Sequence, residues 1–193
     1  QGRLLDFGCG SSPYKSYFSH CERVGLDVAG TPEIPPDVTL YDGRTIPFPD
    51  SSFNSILASE VLEHVPDLQF TLSELYRVAA PGAVVLVTIP FFWPEHEAHD
   101  FRRLSCQGLR TELERAGFQV ENIVKLGGPV SSLAQLGNVF WVDLFASWPA
   151  IPRRFFLATL TIPLNILGLI ASCMEYDDSK YYLGSSVVAR RKS

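Results

Sequence analysis

The feature that most constrains the fold of this chain is a regular alternation of short apolar runs with segments of helical length over the first two-thirds of the sequence. The apolar runs have the length of single β-strands, and the segments between them are long enough to carry helices. Strands that alternate with helices pair in parallel, because each crossover returns the chain to the same end of the sheet. The sequence therefore predicts an α/β fold with a doubly wound, mostly parallel sheet.

Seven strands and three helices can be placed outside a long apolar insertion. We expect strands at 4–7, 23–28, 38–41, 53–58, 83–89, 119–125 and 185–190, and helices at 14–20, 68–80 and 106–116. Pro81-Gly82 is expected to end the second helix. The run 83–89 is apolar throughout, which is typical of a central parallel strand. Residues 185–190 alternate, which predicts an antiparallel edge strand beside 119–125.

Acidic residues and glycines follow the first three predicted strands. The first strand runs into Asp6-Phe7-Gly8-Cys9-Gly10, where the glycines allow a tight turn and a close approach to a ligand. Asp27 ends the second strand, where a carboxylate can accept hydrogen bonds from ribose hydroxyls, and Asp42-Gly43 ends the third. The carboxyl ends of parallel strands line the ligand crevice of an open α/β sheet. Each acid also suits an ordinary turn or helix cap, which is the alternative interpretation.

The glycine turn lacks the basic residue that a phosphate site requires. We find no lysine or arginine accompanying the loop in sequence, so a phosphate-free cofactor fits better than a dinucleotide or a nucleoside triphosphate. Pro13 lies three positions after Gly10, where a G-x-G-x-x-G turn would place its last glycine. This departure weakens the interpretation as an NAD-dependent oxidoreductase.

The chain resembles the class I S-adenosylmethionine-dependent methyltransferases of the type 11 group. The resemblance rests on 5–10 and 25–27 and extends through 46–53, 60–65, 75–78, 81–82 and 116–118. It implies a Rossmann-like methyltransferase fold and S-adenosylmethionine as the cofactor. The cofactor-binding residues that it implies are Asp6, Gly8, Gly10, Asp27, Asp42, Gly43, Ser59 and Glu60.

The resemblance also assigns a part of the cofactor to most of these residues. Gly8 and Gly10 would approach the methionyl and ribose parts, and Asp6 would support the ammonium side. Asp27 would hold the ribose, and Asp42 would meet the adenine amino group. Ser59 and Glu60 would lie where relatives close over the methionine moiety.

Glu60, Glu63 and His64 resemble the E-x-x-E-H segment with which ubiquinone-pathway O-methyltransferases bind a divalent metal. These side chains could reach one ion if the segment curls into a turn, although imidazole is a poor ligand for magnesium. The alternative is that Glu63 and His64 pack and cap a helix in a motif that many relatives without metal share. We adopt the packing interpretation and expect no metal site.

The polar segment 94–103 follows the fifth strand, at the edge where acceptors bind in open α/β sheets. His96 and His99 are candidates for a general base, and Asp100 and Arg103 are candidates for acceptor binding. The alternative is that the charged side chains of this loop only pair with one another. Methyl transfer to a good nucleophile can also proceed by alignment alone, without a base.

A hydrophobic helical insertion occupies 129–184 before the last strand. Its apolar stretches are 133–151 and 155–174, and the second reaches transmembrane length. If the last strand returns to the sheet, both ends lie on one side, so a single crossing is excluded. We predict a helical hairpin over 129–174, turning at 148–152, that covers the acceptor side or pairs two subunits rather than spanning a bilayer. Contact with a membrane surface and burial against the chain's own sheet remain alternatives.

Composition bounds the remaining possibilities. A chain of 193 residues with 46% hydrophobic residues suits one domain, 1–193, with a sizeable core. The net charge of −5 argues against a nucleic-acid partner. The four cysteines are scattered without metal or disulfide spacing, and the start lacks signal-peptide features, so we expect a cytoplasmic protein. The abrupt start before the first strand suggests that longer relatives carry a preceding helix.

Together these features predict transfer of a methyl group to a small-molecule or lipid-linked acceptor, with oxygen as the acceptor atom. The competing function from another class is a methyltransferase-like binding or scaffold protein that has lost turnover. The intact acids at the strand ends argue against that alternative. A homodimer or a peripheral membrane contact through 129–174 remains open.

Overall fold

The structure is a computed structural model that describes residues 2–96, 98–172 and 180–192. Seven strands form one sheet in the order β3-β2-β1-β4-β5-β7-β6. The strands are β1 (Arg3–Phe7), β2 (Glu22–Val28), β3 (Thr39–Tyr41), β4 (Phe53–Ser59), β5 (Ala79–Pro90), β6 (Phe118–Leu126) and β7 (Gly184–Arg191). The helices are α1 (Leu68–Val78), α2 (Cys106–Arg115), α3 (Pro129–Leu144) and α4 (Ala150–Ser172). The predicted α/β class with a seven-stranded sheet is confirmed.

Parallel pairing brings the ends of the first five strands to one edge of the sheet. β1 pairs in parallel with β2 and with β4, β2 with β3, and β4 with β5. Leu5 of β1 lies opposite Val24 on one side and Ile56 on the other, and it is fully buried. The residues that follow β1, β2, β3 and β4 therefore emerge side by side, as the sequence predicts.

Two predicted helices differ from the structure. The segment 14–20 forms only a 3-10 helix at Lys15–Phe18, which buries no residue and so has no packing to extend it. Helix α1 ends at Val78, and Pro81-Gly82 lies inside β5 instead of ending the helix. Phe53 pairs with Ala79 but Ser55 pairs with Val84, so this part of β5 bulges out of register. Proline, without an N–H, and Gly82, at φ +77°, suit such a bulge.

Strand β7 returns beside β6, as predicted, but it is not an edge strand. It lies between β5 and β6, and β6 forms the edge of the sheet. Val187 and Ala189 are fully buried, which explains why residues alternate along β7. From the sequence alone, the same alternation fits an edge strand equally well. Arg190 reaches both sides, donating to the Glu121 carboxylate and to the Gly82 carbonyl. The predicted antiparallel direction stays a prediction.

The chain divides into two compact units. The first comprises 1–90, 95–124 and 185–193, and the second comprises 91–94 and 125–184. The second unit contains the predicted insertion, and within it α3 and α4 pack together as a helical hairpin. The turn lies at 145–149, earlier than the predicted 148–152, because Ile151 and Pro152 already belong to α4. Cys173 and Met174, placed in the hairpin from sequence, lie outside the described residues.

Arg77 of α1 fixes the proline-containing segment that precedes β4. Its guanidinium donates to the carbonyls of Ile46 and Phe48 and to the carboxylates of Asp50 and Glu74. Glu74 in turn accepts a hydrogen bond from the backbone N–H of Ile46. The planar fork of arginine supplies donors in directions that one ammonium group cannot match.

Replacing Arg77 by lysine should therefore destabilise the fold by about 1–3 kcal/mol, because partly buried carbonyls and the Glu74 carboxylate lose donors. Urea unfolding followed by circular dichroism measures this change. The matched control is Arg110→Lys, since Arg110 forms an exposed pair with Glu114 on α2, and there we expect a change below about 0.5 kcal/mol. Equal effects at the two positions would contradict the role assigned to Arg77.

Candidate active site

The glycine loop after β1 is shaped by a close backbone approach. Gly8 has φ +66°, and a Cβ atom built there would lie 2.1 Å from a methyl carbon of Val61. Any side chain at Gly8 would therefore collide with the segment after β4 and strain the backbone. Gly10 also has positive φ, at +49°, but a Cβ atom there would meet nothing within 4 Å. Protein packing thus explains the glycine at position 8, while the space beside Gly10 is open.

Asp27 connects this loop to the end of β2. Its Oδ2 accepts a hydrogen bond from the Gly10 backbone N–H at 2.7 Å. Its Oδ1 accepts from the Val28 N–H at 2.7 Å and from the Thr31 hydroxyl at 2.8 Å. The carboxylate is almost fully buried. Asp27 therefore holds the glycine loop in place.

Asp6 is paired with an arginine that the sequence interpretation missed. Arg23 of β2 lies 2.7 Å from the Asp6 carboxylate and also donates to the Ser12 hydroxyl. Burial raises the pKa of Asp6, and the hydrogen bond from Arg23 opposes that rise. A Cβ atom at Gly25 would lie 3.0 Å from Cys9 Sγ and 3.0 Å from a methyl carbon of Val38, so a side chain there would crowd these neighbours. The charge of Arg23 is balanced by Asp6, so the arginine does not form a phosphate site.

The acids and polar residues after β3 and β4 lie at the same edge. The exposed Asp42 accepts a hydrogen bond from the Arg44 N–H, so it makes the turn that the alternative interpretation described. Gly43 provides the positive φ of that turn, +77°. The Ser59 and Thr88 hydroxyls are hydrogen-bonded at 2.9 Å. Their direct role in cofactor binding stays a prediction, as it does for Asp6, Gly8, Gly10 and Asp27.

Glu60 has a backbone conformation that is unusual for its residue type. Its φ is +50°, in the left-handed region that favours glycine. The peptide N–H is held by both the carbonyl and the hydroxyl of Thr88. This strain keeps an exposed carboxylate at the end of β4, next to the glycine loop, and strained residues of this kind concentrate at functional sites.

Arg102 ties the predicted acceptor loop to the segment after β4. Its guanidinium donates to the backbone carbonyls of Leu62, Val65 and Pro66. The Phe101 N–H donates to the Glu63 carbonyl, which adds a fourth connection. The loop and the segment 60–67 therefore form one structural element, although they are distant in sequence.

Within this element the structure distinguishes the two candidate histidines. His96 Nδ1 lies 3.1 Å from Asp100 Oδ2, which leaves Nε2 as the nitrogen able to accept a proton. The ring of His99 stacks on Phe101, and its backbone carbonyl hydrogen-bonds to His64 Nδ1. Of the two, His96 is the one that has, among the described residues, the carboxylate partner that orients a catalytic imidazole.

Asp100 and Arg103 meet each other as an ion pair. Arg103 donates to both oxygens of Asp100, whose side chain is enclosed, and the bond lowers the pKa of Asp100 to about 2. This pairing realises the alternative given for the charged residues of the loop. Their predicted contact with the acceptor stays a prediction. Glu97, another acid of the loop, lies outside the described residues.

Among the site residues, Glu63 has the environment that the sequence predicted least well. Its carboxylate is fully buried and neither oxygen accepts a hydrogen bond, and burial raises its pKa to about 7. Ligand atoms of Glu63, His64 and His96 all lie within 4.8 Å of one another, so these three could hold a cation. A buried carboxylate with two imidazoles suits zinc better than magnesium. The packing role and the metal role both remain compatible with this arrangement.

The raised pKa of Glu63 makes a prediction about stability. The unfolded chain ionises this group near pH 4.5 and the folded protein near 7, so the folded state binds more protons between these values. Its contribution to the free energy of unfolding falls as the pH rises from about 4.5 to about 7 and is then constant. Glu63→Gln should remove this slope and raise the stability at pH 8 by on the order of 2 kcal/mol.

Thermal unfolding from pH 4.5 to 8 measures the effect, and Glu114→Gln, at an exposed acid of α2, is the control. If zinc stabilised the parent protein but not the Glu63→Gln variant, Glu63 would be a metal ligand, and the packing interpretation would be wrong.

Comparison with known proteins finds similarity to methyltransferases. A family model described as a methyltransferase domain matches residues 5–87, which include the glycine loop, Asp27 and the segment after β4. A probable S-adenosylmethionine-dependent methyltransferase of Mycolicibacterium smegmatis is 32% identical over 135 residues, covering 62% of this chain and 52% of that protein. Ajmaline N-methyltransferase of Rauvolfia serpentina is 28% identical over 195 residues, covering 89% of this chain and 63% of that protein.

Solved structures share the fold. An S-adenosylmethionine-dependent methyltransferase from Mesorhizobium loti superposes with a TM-score of 0.62 at 16% identity, covering 98% of this chain and 91% of that one. The chain spans about half the length of the first of the two curated relatives and under two thirds of the second.

Proposed function

We propose, from the premise that this chain belongs to the class I S-adenosylmethionine-dependent methyltransferases, that it transfers a methyl group from this cofactor to a small-molecule or lipid-linked acceptor, at an oxygen atom. The observation that carries the proposal is the row of glycines and carboxylates at the carboxyl ends of the adjacent strands β3, β2, β1 and β4. A ligand crevice lies at this edge in open α/β sheets. The ajmaline enzyme acts on nitrogen, so the choice of oxygen rests on His96.

The residues present suit this cofactor. Gly10 borders open space, and the adjacent Asp27 provides a carboxylate of the kind that accepts hydrogen bonds from ribose hydroxyls. Asp42 and Glu60 offer exposed carboxylates on the two flanking strand ends. The balanced charge of Arg23 favours a ligand without phosphates. When bound, S-adenosylmethionine supplies an electrophilic methyl group on a sulfonium centre.

The role that we propose for His96 is removal of a proton from the acceptor hydroxyl. Asp100 holds the Nδ1–H, so Nε2 would accept the proton as the acceptor oxygen takes the methyl group, and the carbon–sulfur bond of the cofactor would break to leave S-adenosylhomocysteine. Arg103 keeps Asp100 ionised and in place. An aromatic amine, which is uncharged at neutral pH, presents its lone pair without this step, so the base is dispensable for such an acceptor.

Cofactor binding is tested at Gly10. In the Gly10→Ala variant a methyl group enters open space, so the fold should lose only the modest cost of a positive φ, about 1 kcal/mol. Binding of S-adenosylhomocysteine, measured by calorimetry, should weaken at least about tenfold because the methyl group occupies ligand space. Gly82→Ala is the control, since Gly82 also has positive φ and a Cβ atom there would meet nothing within 4 Å, but it lies near the amino end of β5. Binding that is equally strong in both variants would refute the proposed pocket.

The base is tested with radiolabelled cofactor and a panel of hydroxyl and amine acceptors. His96→Gln should lower kcat for a hydroxyl acceptor by about 10²-fold or more, and much less for an aromatic amine, which is uncharged at neutral pH. His20→Gln, at an exposed histidine beside β2, is the control. His99→Gln separates the two histidines, and an equal loss in both variants would contradict the selection of His96. Retention of full hydroxyl activity in His96→Gln would show that alignment alone suffices.

A further inference from the structure

The helical hairpin of α3 and α4 exposes apolar side chains along its length. Residues 155–172 of α4 contain no charged residue. Within Ala150–Ala171 the most apolar window of 18 residues has a mean hydropathy of 1.7, yet only 6% of that window is buried. The exposed side chains include Ile151, Phe155, Ile162, Ile166, Leu167 and Ile170. A surface of this kind requires a partner.

The way that the two helices contact each other resembles packing inside membranes. A Cβ atom at Gly137 of α3 would lie 2.7 Å from Leu164, and one at Gly168 of α4 would lie 3.1 Å from Ala134. Small residues thus bring the two backbones close together. Membrane helices associate in this way, because lipid gives them no hydrophobic drive and close contact must hold them.

Several polar side chains of α4 are hydrogen-bonded within the hairpin, although Ser132 Oγ and Asn138 Oδ1 of α3 are buried with no hydrogen-bond partner among the described residues. The hydroxyls of Thr159 and Thr161 donate to backbone carbonyls one turn earlier in the helix. Asn138 of α3 donates to the side chain of Asn165 of α4 across the helix contact. Internal satisfaction of polar groups is what a hydrocarbon surrounding demands, whereas water would satisfy the same groups without it.

The charges of the hairpin are complementary to a phospholipid surface. Its charged residues are Asp143, Arg153 and Arg154, so 129–172 carries +1 while the whole chain carries −5. These charges lie near the turn, close to Trp148, whose ring packs on Phe145 and Phe156. Arginine and tryptophan side chains are favoured at the level of the lipid headgroups, where one end is apolar and the other polar.

We propose that the α3–α4 hairpin is a membrane anchor, which inserts its apolar surface into an anionic phospholipid bilayer and leaves it on the side that it entered. Both ends of the hairpin continue into neighbouring strands of one sheet, β6 and β7, which requires entry and exit on the same side. Helix α4, with 23 residues, is about 34 Å long, comparable to the hydrocarbon thickness of a bilayer. The sequence also left a second subunit open as the partner of this apolar surface. A subunit interface, however, would not require polar groups to pair within the hairpin.

The anchor is tested with the full chain by flotation with vesicles of phosphatidylcholine and phosphatidylglycerol. The parent protein should float, and the double variant Ile162→Asp/Ile166→Asp should remain in the aqueous fraction. These side chains are exposed, so the substitutions leave the core intact, which circular dichroism verifies. Tyr17→Asp, at an exposed aromatic residue of the first unit, is the control and should float like the parent.

A second measurement reports on the hairpin directly. In a Trp93→Phe variant the remaining tryptophans are Trp141 and Trp148, both near the turn. Brominated lipid should quench their fluorescence, and Arg153→Gln/Arg154→Gln should reduce binding to anionic vesicles more than to neutral ones. A parent protein that stays in the aqueous fraction, unquenched, and sediments as a dimer dissociated by the Ile162→Asp/Ile166→Asp variant would overturn the proposal in favour of a subunit interface.

Discussion

The hydrogen bonds of Asp27 are the interaction on which the candidate site depends most. One carboxylate binds the backbone of the glycine loop, the backbone of its own strand end and the hydroxyl of Thr31. Two loops that belong to different strands thereby acquire one geometry. A buried carboxylate with several donors is costly to replace, because each donor would otherwise be left unsatisfied. The position of Gly10, and the open space beside it, follow from this connection.

Much of this arrangement could be predicted from the sequence because it depends on local patterns. To predict that the acids and glycines meet at one edge of the sheet, one needs only the alternation of strands and helices and the rule that the carboxyl ends of parallel strands lie at one edge. The prediction that β7 is an edge strand was wrong for a different reason. Alternation records that one face is buried but not which strands lie on either side, and burial of Val187 and Ala189 between β5 and β6 is a tertiary fact. The prediction that Pro81-Gly82 ends a helix was wrong because the same two residues also suit a bulge in a strand.

Contacts between distant segments account for what the sequence did not reveal about the site. Arg23 is an unremarkable strand residue until the sheet places it beside Asp6. Glu63 follows a motif with two interpretations, and only its complete burial shows that its carboxylate lacks hydrogen bonds. The sequence does not distinguish His96 from His99 as a candidate base. Only the fold shows that Asp100 pairs with His96. The residue types were foreseeable, whereas the pairings required the three-dimensional structure.

Gly8 lies so close to Val61 that any side chain at position 8 would collide with it. This contact bears on how the cofactor and the acceptor would influence each other's binding. Val61 begins the segment that Arg102 fastens to the loop of His96, so a displacement of the glycine loop must be transmitted to the acceptor side. Packed contacts of this kind are stiff and do not absorb small shifts. Occupation of the proposed cofactor pocket would therefore change the affinity of the proposed acceptor pocket, and thermodynamic linkage would make that coupling equal in both directions. Because the coupling is reciprocal, it would act whichever ligand arrives first.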